Sequence, residues 1–191
     1  MHTFCLENMV WMNRPDVFSV ANDQLMIRTK PGTDLWKRTH YGFERDNVHA
    51  LLLESGKEDW SFSFKASFHG SALYDQCGVL LYQDTDNWMK GAIEYHDDAS
   101  CWLGSVVTLG GYSDWATTEI PAGRNEMWYR LSRKGADYLL ESAPDGIHYA
   151  QMRIFHMGAA ARFGLYACSP SPDGSFAATF TDMRIVPSIW R

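Results

Sequence analysis

Apolar and polar residues alternate with a period of two along much of this chain, and that period limits what it can fold into more than any single motif does. From Trp60 to His69, Phe62, Phe64, Ala66 and Phe68 fall on one side, with Ser61, Ser63, Lys65, Ser67 and His69 on the other. Such a pattern buries one face of a strand and wets the other, and a helix would scatter it. Met127 to Arg133 sets Met127, Tyr129 and Leu131 against Trp128, Arg130 and Ser132, and His148 to His156 sets Ala150, Met152 and Ile154 against Tyr149, Gln151, Arg153 and Phe155. Turn formers such as Asn22-Asp23, Gly110-Gly111, Lys134-Gly135 and Pro144-Asp145-Gly146 divide these runs. The result is about fourteen strand candidates and no amphipathic helix, which points to an all-β sandwich or barrel. With 191 residues and no internal repeat or linker, the expectation is one domain over residues 1–191.

Composition narrows the function classes. Aromatic residues make up 14% of the chain, including eight Trp, and flat rings stack on sugars or on nucleobases. A net charge of -6 leaves no basic stripe for a phosphate backbone, so a nucleic-acid partner is not expected. No run of about eighteen apolar residues is present, so no membrane span is expected. Residues Met1 to Asn8 lack the charged and apolar regions of a secretory signal, and Cys5, Cys77, Cys101 and Cys168 show no CxxC spacing. The expectation is a cytoplasmic protein with reduced thiols. Zinc, P-loop, dinucleotide and GxSxG motifs do not occur. Asp84-x-Asp86-Asn87 lacks the glycine and distal glutamate of an EF-hand and reads as a solvated turn, so no cofactor or metal is expected.

The candidate site is read from two adjacent strands, Asp75 to Tyr82 and Trp88 to Tyr95. Trp88, Lys90, Ala92 and Glu94 share one face, and Met89, Gly91, Ile93 and Tyr95 share the other, which looks like core. Lys90 and Glu94 therefore point the same way from a largely apolar strand, roughly 13 Å apart along it, too far for a direct salt bridge. Either they line a cleft or each pairs with a charge on another strand, Lys90 with an acid and Glu94 with Arg130 or Arg153. Two stretches, Leu35 to Gly42 and Tyr112 to Trp115, read as polar-aromatic loops that bring Trp36 and Trp115 to a rim as stacking platforms, with Gln76 at the floor to read hydroxyl groups.

With these motifs in place, the chain resembles a bacterial and fungal domain-of-unknown-function family with the concanavalin A-like lectin and glucanase jelly roll. The residues that carry the resemblance are Trp11-x-Asn13-x-Pro15, Thr33-Asp34-x-Trp36, Asp75-Gln76-x-Gly78, Trp88-x-Lys90-x-x-x-Glu94, Ser113-Asp114-Trp115, Trp128-x-Arg130, Ser142-x-x-Asp145-Gly146 and Gly164-x-Tyr166. The resemblance implies two curved antiparallel sheets whose concave face binds polysaccharide in the lectins and cleaves it in related glucanases. Folds of this type often carry structural calcium. The E-x-D-x-x-E or E-x-D-x-E strand of the glucanases is missing, so Glu94 would need a carboxylate partner from elsewhere, with Asp34, Asp75, Asp114 and Glu141 as the options.

The sequence thus predicts a concanavalin A-like sandwich with a saccharide site made of Trp36, Gln76, Lys90, Asp114, Trp115, Arg130 and Tyr166. Glu94 is the acid/base candidate if the protein is a glycoside hydrolase or lyase, and Lys90 would face the carboxylate of a uronate-containing glycan. The alternative is a non-catalytic module that acts through self-association as a homodimer.

Overall fold

The computed structural model describes residues 6–21, 23–159 and 161–191, so Cys5, the reading of residues 1–5 and the turn residue Asn22 lie outside the described residues. After a short 3-10 turn at Leu6–Asn8, the strands begin with β1 (Val10–Met12), β2 (Val17–Ala21), β3 (Gln24–Arg28), β4 (Leu35–Lys37) and β5 (Glu44–Asp46). They continue with β6 (His49–Glu54), β7 (Trp60–Phe68), β8 (Gln76–Asp84), β9 (Asn87–Tyr95), β10 (Ser100–Leu109) and β11 (Tyr112–Pro121). The last are β12 (Glu126–Lys134), β13 (Asp137–Ala143), β14 (Ala150–His156), β15 (Arg162–Cys168) and β16 (Ala177–Pro187).

They form two seven-stranded sheets and a small ribbon. The front sheet runs β1-β6-β15-β8-β9-β10-β11, the back sheet runs β14-β13-β12-β7-β16-β3-β2, and β4 pairs only with β5. All the strand pairs are antiparallel. The two sheets pack face to face as a sandwich, one of the two all-β architectures that the alternation allowed and the one that the resemblance implied. Phe62, Phe64, Tyr129, Leu131 and Phe180 of the back sheet meet Val79, Met89, Ile93, Phe163 and Leu165 of the front sheet in one core.

A second apolar cluster lies on the other side of the front sheet: Leu35, Trp36, Val48, Leu80, Trp88, Ala92, Val106 and Tyr166. The segment between β3 and β6, including the β4–β5 ribbon, folds over this face, so β8 and β9 are buried on both sides for most of their length. Buried hydroxyls pin the segment. Thr29 Oγ1 and Ser169 Oγ share a 2.7 Å hydrogen bond, the Ser169 N–H donates to Thr33 Oγ1 at 3.0 Å, and the Lys37 N–H donates to Ser113 Oγ at 3.0 Å.

The structure departs from the sequence reading in three places. Leu35 to Gly42 is not wholly irregular, because Leu35–Lys37 pairs with Glu44–Asp46. Tyr112 to Trp115 is not a loop but the start of β11, paired with β10 around the Gly110-Gly111 turn, where both glycines adopt positive φ. On β14 the inward face changes partway, since Met152 packs on the core and Phe155 is buried while Ile154 is exposed. The register slips between Leu140 and Glu141 of β13, and an extra residue in one strand reverses the alternation beyond it.

Gly78 of β8 pairs with Ala92 of β9, and a methyl group there would overlap the Gly91 carbonyl oxygen. Because the obstacle is backbone, Gly78→Ala is expected to cost about 1–3 kcal/mol, as overpacking does. Urea denaturation measures it, and an unchanged midpoint would contradict the close approach.

Candidate functional site

A cavity of about 430 Å³ opens on the covered face of the front sheet. Its floor is the outward face of β8, β9 and β10, which supplies Gln76, Lys90, Glu94 and Val106. Trp115 of β11, Trp36 and Asp34 at the start of the ribbon, Tyr41, Phe43 and Arg45 farther along it, Leu73 and Tyr74 before β8, and Pro170 to Pro172 after β15 form the walls. The period-two pattern of β9 places Lys90 and Glu94 on this floor and sends Met89 and Ile93 into the core between the sheets.

Lys90 and Glu94 are both only 3% exposed, yet their environments differ. The Lys90 ammonium donates to Asp34 Oδ1 at 2.9 Å, and the same oxygen accepts the Leu35 N–H at 2.7 Å. Burial works against the charged lysine, but Asp34 in front of it, Cys168, Glu94 and the hydrogen bond overcome that, and its pKa is raised. The Glu94 carboxyl has no hydrogen bond among the described residues. Burial pushes its carboxyl up to about 7, with Lys90 pulling it down and Asp34 pushing it further up. A carboxyl that titrates near neutrality and faces a cavity can act as donor or acceptor to a ligand.

The surroundings hold Glu94 in place without engaging it. A methyl group on Gly104 would lie 2.8 Å from Glu94 Oε1 and 3.2 Å from Trp115 Nε1, so this glycine leaves the space that both groups occupy. Trp115 Nε1 is buried and has no acceptor among the described residues. Beside it, Gln76 accepts a hydrogen bond from Tyr166 Oη at 3.0 Å and donates one to the Tyr74 carbonyl at 3.1 Å, which fixes the amide orientation. Tyr74 holds φ at +68°, a left-handed conformation costing roughly 1–3 kcal/mol in a residue with a large side chain. Hydrogen bonds from the Tyr74 N–H to the Tyr95 carbonyl at 2.8 Å and from the Tyr95 N–H to the Asp75 carbonyl at 2.9 Å keep it there.

The rings form a chain around the mouth. Trp36 meets Tyr41 edge-on at 5.5 Å and Trp115 at 6.3 Å, and Trp115 meets Tyr74 at 6.2 Å. Tyr41 and Phe43 remain half exposed at the rim.

Of the residues expected from sequence, Trp36, Gln76, Lys90, Glu94 and Trp115 come together here. Three others do not line the cavity. Asp114 lies on β11 beside Trp115, and adjacent strand residues face opposite ways; its carboxylate pairs instead with Arg153 of β14 at 2.6 Å. Arg130 belongs to the back sheet, where it makes two hydrogen bonds to Glu141, at 2.7 and 2.8 Å, and stacks on Tyr149. Tyr166 is fully buried on the same covered face, within the second apolar cluster, and donates to Gln76. Among the carboxylates considered as partners of Glu94, only Asp34 lines the cavity.

Tyr41, Phe43, Arg45, Leu73, Tyr74 and Pro170 to Pro172 were not expected. They come from segments without periodicity, and their only signals were the aromatic run at Tyr41-Gly42-Phe43 and the prolines directly after β15. Among the described residues, no cluster of three or more His, Cys, Asp or Glu side chains could hold a metal ion. Asp84 instead caps its own turn, accepting the Asp86 N–H and the Asn87 amide, each at 2.9 Å.

Fold and cavity together define an antiparallel β-sandwich with a ligand-sized, aromatic-walled pocket on the covered face of one sheet. The family model described as "Protein of unknown function (DUF1349)" matches residues 11–188, and the chain belongs to that family. It is 30% identical over 180 residues to "Regulation of enolase protein 1" of Saccharomyces cerevisiae, a match covering 92% of this chain and 87% of that protein. The crystal structure of a functionally unknown protein from Saccharomyces cerevisiae superposes with a TM-score of 0.88 at 26% identity, over 96% of this chain and 98% of the other. An alginate lyase from Klebsiella pneumoniae superposes with a TM-score of 0.61 at 11% identity, over 92% of this chain and 86% of the lyase. A xylan beta-1,4-xylosidase from Bacillus halodurans reaches 0.68 at 13% identity, over 85% of this chain but 32% of the enzyme. These last two likenesses are in fold alone.

Proposed function

We propose that the cavity binds a saccharide unit, with the ring against the aromatic walls and its hydroxyl groups at Glu94 and Gln76. The observation that carries this reading is the buried Glu94 carboxyl, which has no hydrogen bond among the described residues and sits at the floor of a pocket walled by Trp36, Tyr41, Tyr74 and Trp115. An apolar wall with a few convergent polar groups is the usual form of a small-molecule site, and sugar rings offer both an apolar face and hydroxyls. If the bound sugar is also processed, Glu94 is the general acid or base, since its pKa of about 7 permits either role near neutral pH. The fold is one that an alginate lyase and a xylosidase also use, but the reading rests on the cavity.

Calorimetric titration with a panel of mono- and oligosaccharides tests it. Binding is expected in the wild type. It should weaken at least about tenfold in Trp115→Ala and in Gly104→Ala, the first removing a wall and the second crowding Glu94. Binding that survives both substitutions unchanged would place the sugar elsewhere, and a panel without any binding would remove the reading.

A further inference from the structure

We propose that the ring taken up by this cavity carries an ammonium group, as a hexosamine does, and that Glu94 is its counter-ion. The inference rests on the saccharide reading and specifies the ligand class.

The argument starts from which charges are already matched. The Lys90 ammonium lies 2.9 Å from Asp34 Oδ1, with both side chains nearly buried, so this pair closes on itself. Lys90 therefore has no free charge for a uronate carboxylate, the role that the sequence suggested for it. Arg45 is held at the mouth, where it donates to the Gly32 carbonyl at 2.6 Å and lies over the Phe43 ring. What remains inside is the Glu94 carboxyl, 3% exposed and without a hydrogen bond among the described residues. An anionic ligand would meet this carboxyl, with Lys90 already paired and the Arg45 guanidinium held on a backbone carbonyl at the mouth. A cationic one would supply the partner that Glu94 lacks, which matters because an unpaired buried carboxylate is costly.

The walls favour the same charge. Cations are attracted to the faces of Trp, Tyr and Phe, and Trp36, Tyr41, Phe43, Tyr74 and Trp115 surround the space above Glu94. An ammonium brings donors only. Acceptors for them within the cavity include the Glu94 carboxylate and the second lone pair of Gln76 Oε1, whose first accepts from Tyr166.

The pH dependence follows from the groups that face Glu94. Asp34 and Lys90 form the closed pair. Tyr74, Tyr166 and Cys168 are pushed up by burial and stay neutral. His40 packs edge-on against Tyr41 at the rim, 4.7 Å between ring centres. A cation binds the ionised form of Glu94, so with a carboxyl at about 7 the affinity should rise with pH. The gain from about pH 5 to about pH 7 is roughly fifty-fold by linkage.

The test is titration of glucosamine, glucose, N-acetylglucosamine and glucuronate into the wild type and Glu94→Gln at both pH values. Glucosamine is expected to bind at least about tenfold tighter than the other three. That preference and its rise with pH should vanish in Glu94→Gln, which is expected to bind glucosamine no tighter than glucose at either pH. Equal affinity for glucose and glucosamine, or tighter glucuronate, overturns the inference and leaves the saccharide reading standing. An amine preference that survives in Glu94→Gln also overturns it. If no ring of any charge binds, the saccharide reading falls and this inference with it.

Discussion

Lys90→Met is expected to destabilise the fold by roughly 3–5 kcal/mol, the usual cost of removing one partner of a buried ion pair. Asp34 would keep a carboxylate in an apolar enclosure with, among the described residues, only the Leu35 N–H at 2.7 Å to satisfy it. The charge that restrains the pKa of Glu94 would vanish as well, so that carboxyl would rise further. Urea denaturation near neutral pH measures the loss. Adding Asp34→Asn to Lys90→Met should recover much of it, because the orphaned charge goes. A loss below about 1 kcal/mol for the single variant, the range of an exposed pair, would mean that the pair is not buried as described.

Glu94→Gln is expected to act in the opposite direction. The Glu94 carboxyl is raised to about 7 from an ordinary 4.5, so the folded protein holds this proton over a range in which the unfolded chain releases it. Stability from this group is complete below the unfolded value and is lost as pH rises through the folded value. At about 1.4 kcal/mol per unit, the wild type loses about 3 kcal/mol across that window. Glutamine has the same shape and does not titrate. Glu94→Gln should therefore be more stable than the wild type by about 3 kcal/mol near pH 8 and nearly equal to it near pH 4. Parallel stability curves for the two proteins between those limits would show that Glu94 is not buried in this way. A site residue whose removal stabilises the fold is what a strained or desolvated functional group produces.

Much of the site was legible because strand geometry is local. The alternation of β9 alone puts Lys90 and Glu94 on the face opposite Met89 and Ile93, and the same alternation on β8 puts Gln76 beside them. The error at Asp114 also has a local cause. Taking Tyr112 to Trp115 as a loop removed the rule that neighbouring strand residues face apart, and with β11 in place Trp115 turns to the cavity and Asp114 to Arg153. Arg130 failed for a different reason. Its alternation was read correctly, with Met127, Tyr129 and Leu131 in the core, but periodicity does not say which of two outer faces a strand presents. Only sheet order assigns β12 to the back sheet, away from β9.

By itself, the sequence determined the all-β class and the side of β9 from which Lys90 and Glu94 project, because these follow from a period of two and from turn chemistry along short stretches of chain, whereas the choice of a two-sheet sandwich over a barrel came from the family resemblance. The tertiary structure decided what those two side chains are. The segment between β3 and β6 covers the front sheet, brings Asp34 against Lys90 from 56 positions away, and leaves the Glu94 carboxyl buried with no hydrogen bond among the described residues. Pairing and desolvation depend on what lies across space, so the same alternation fits a solvated charge, a closed ion pair or a carboxyl that titrates near neutrality.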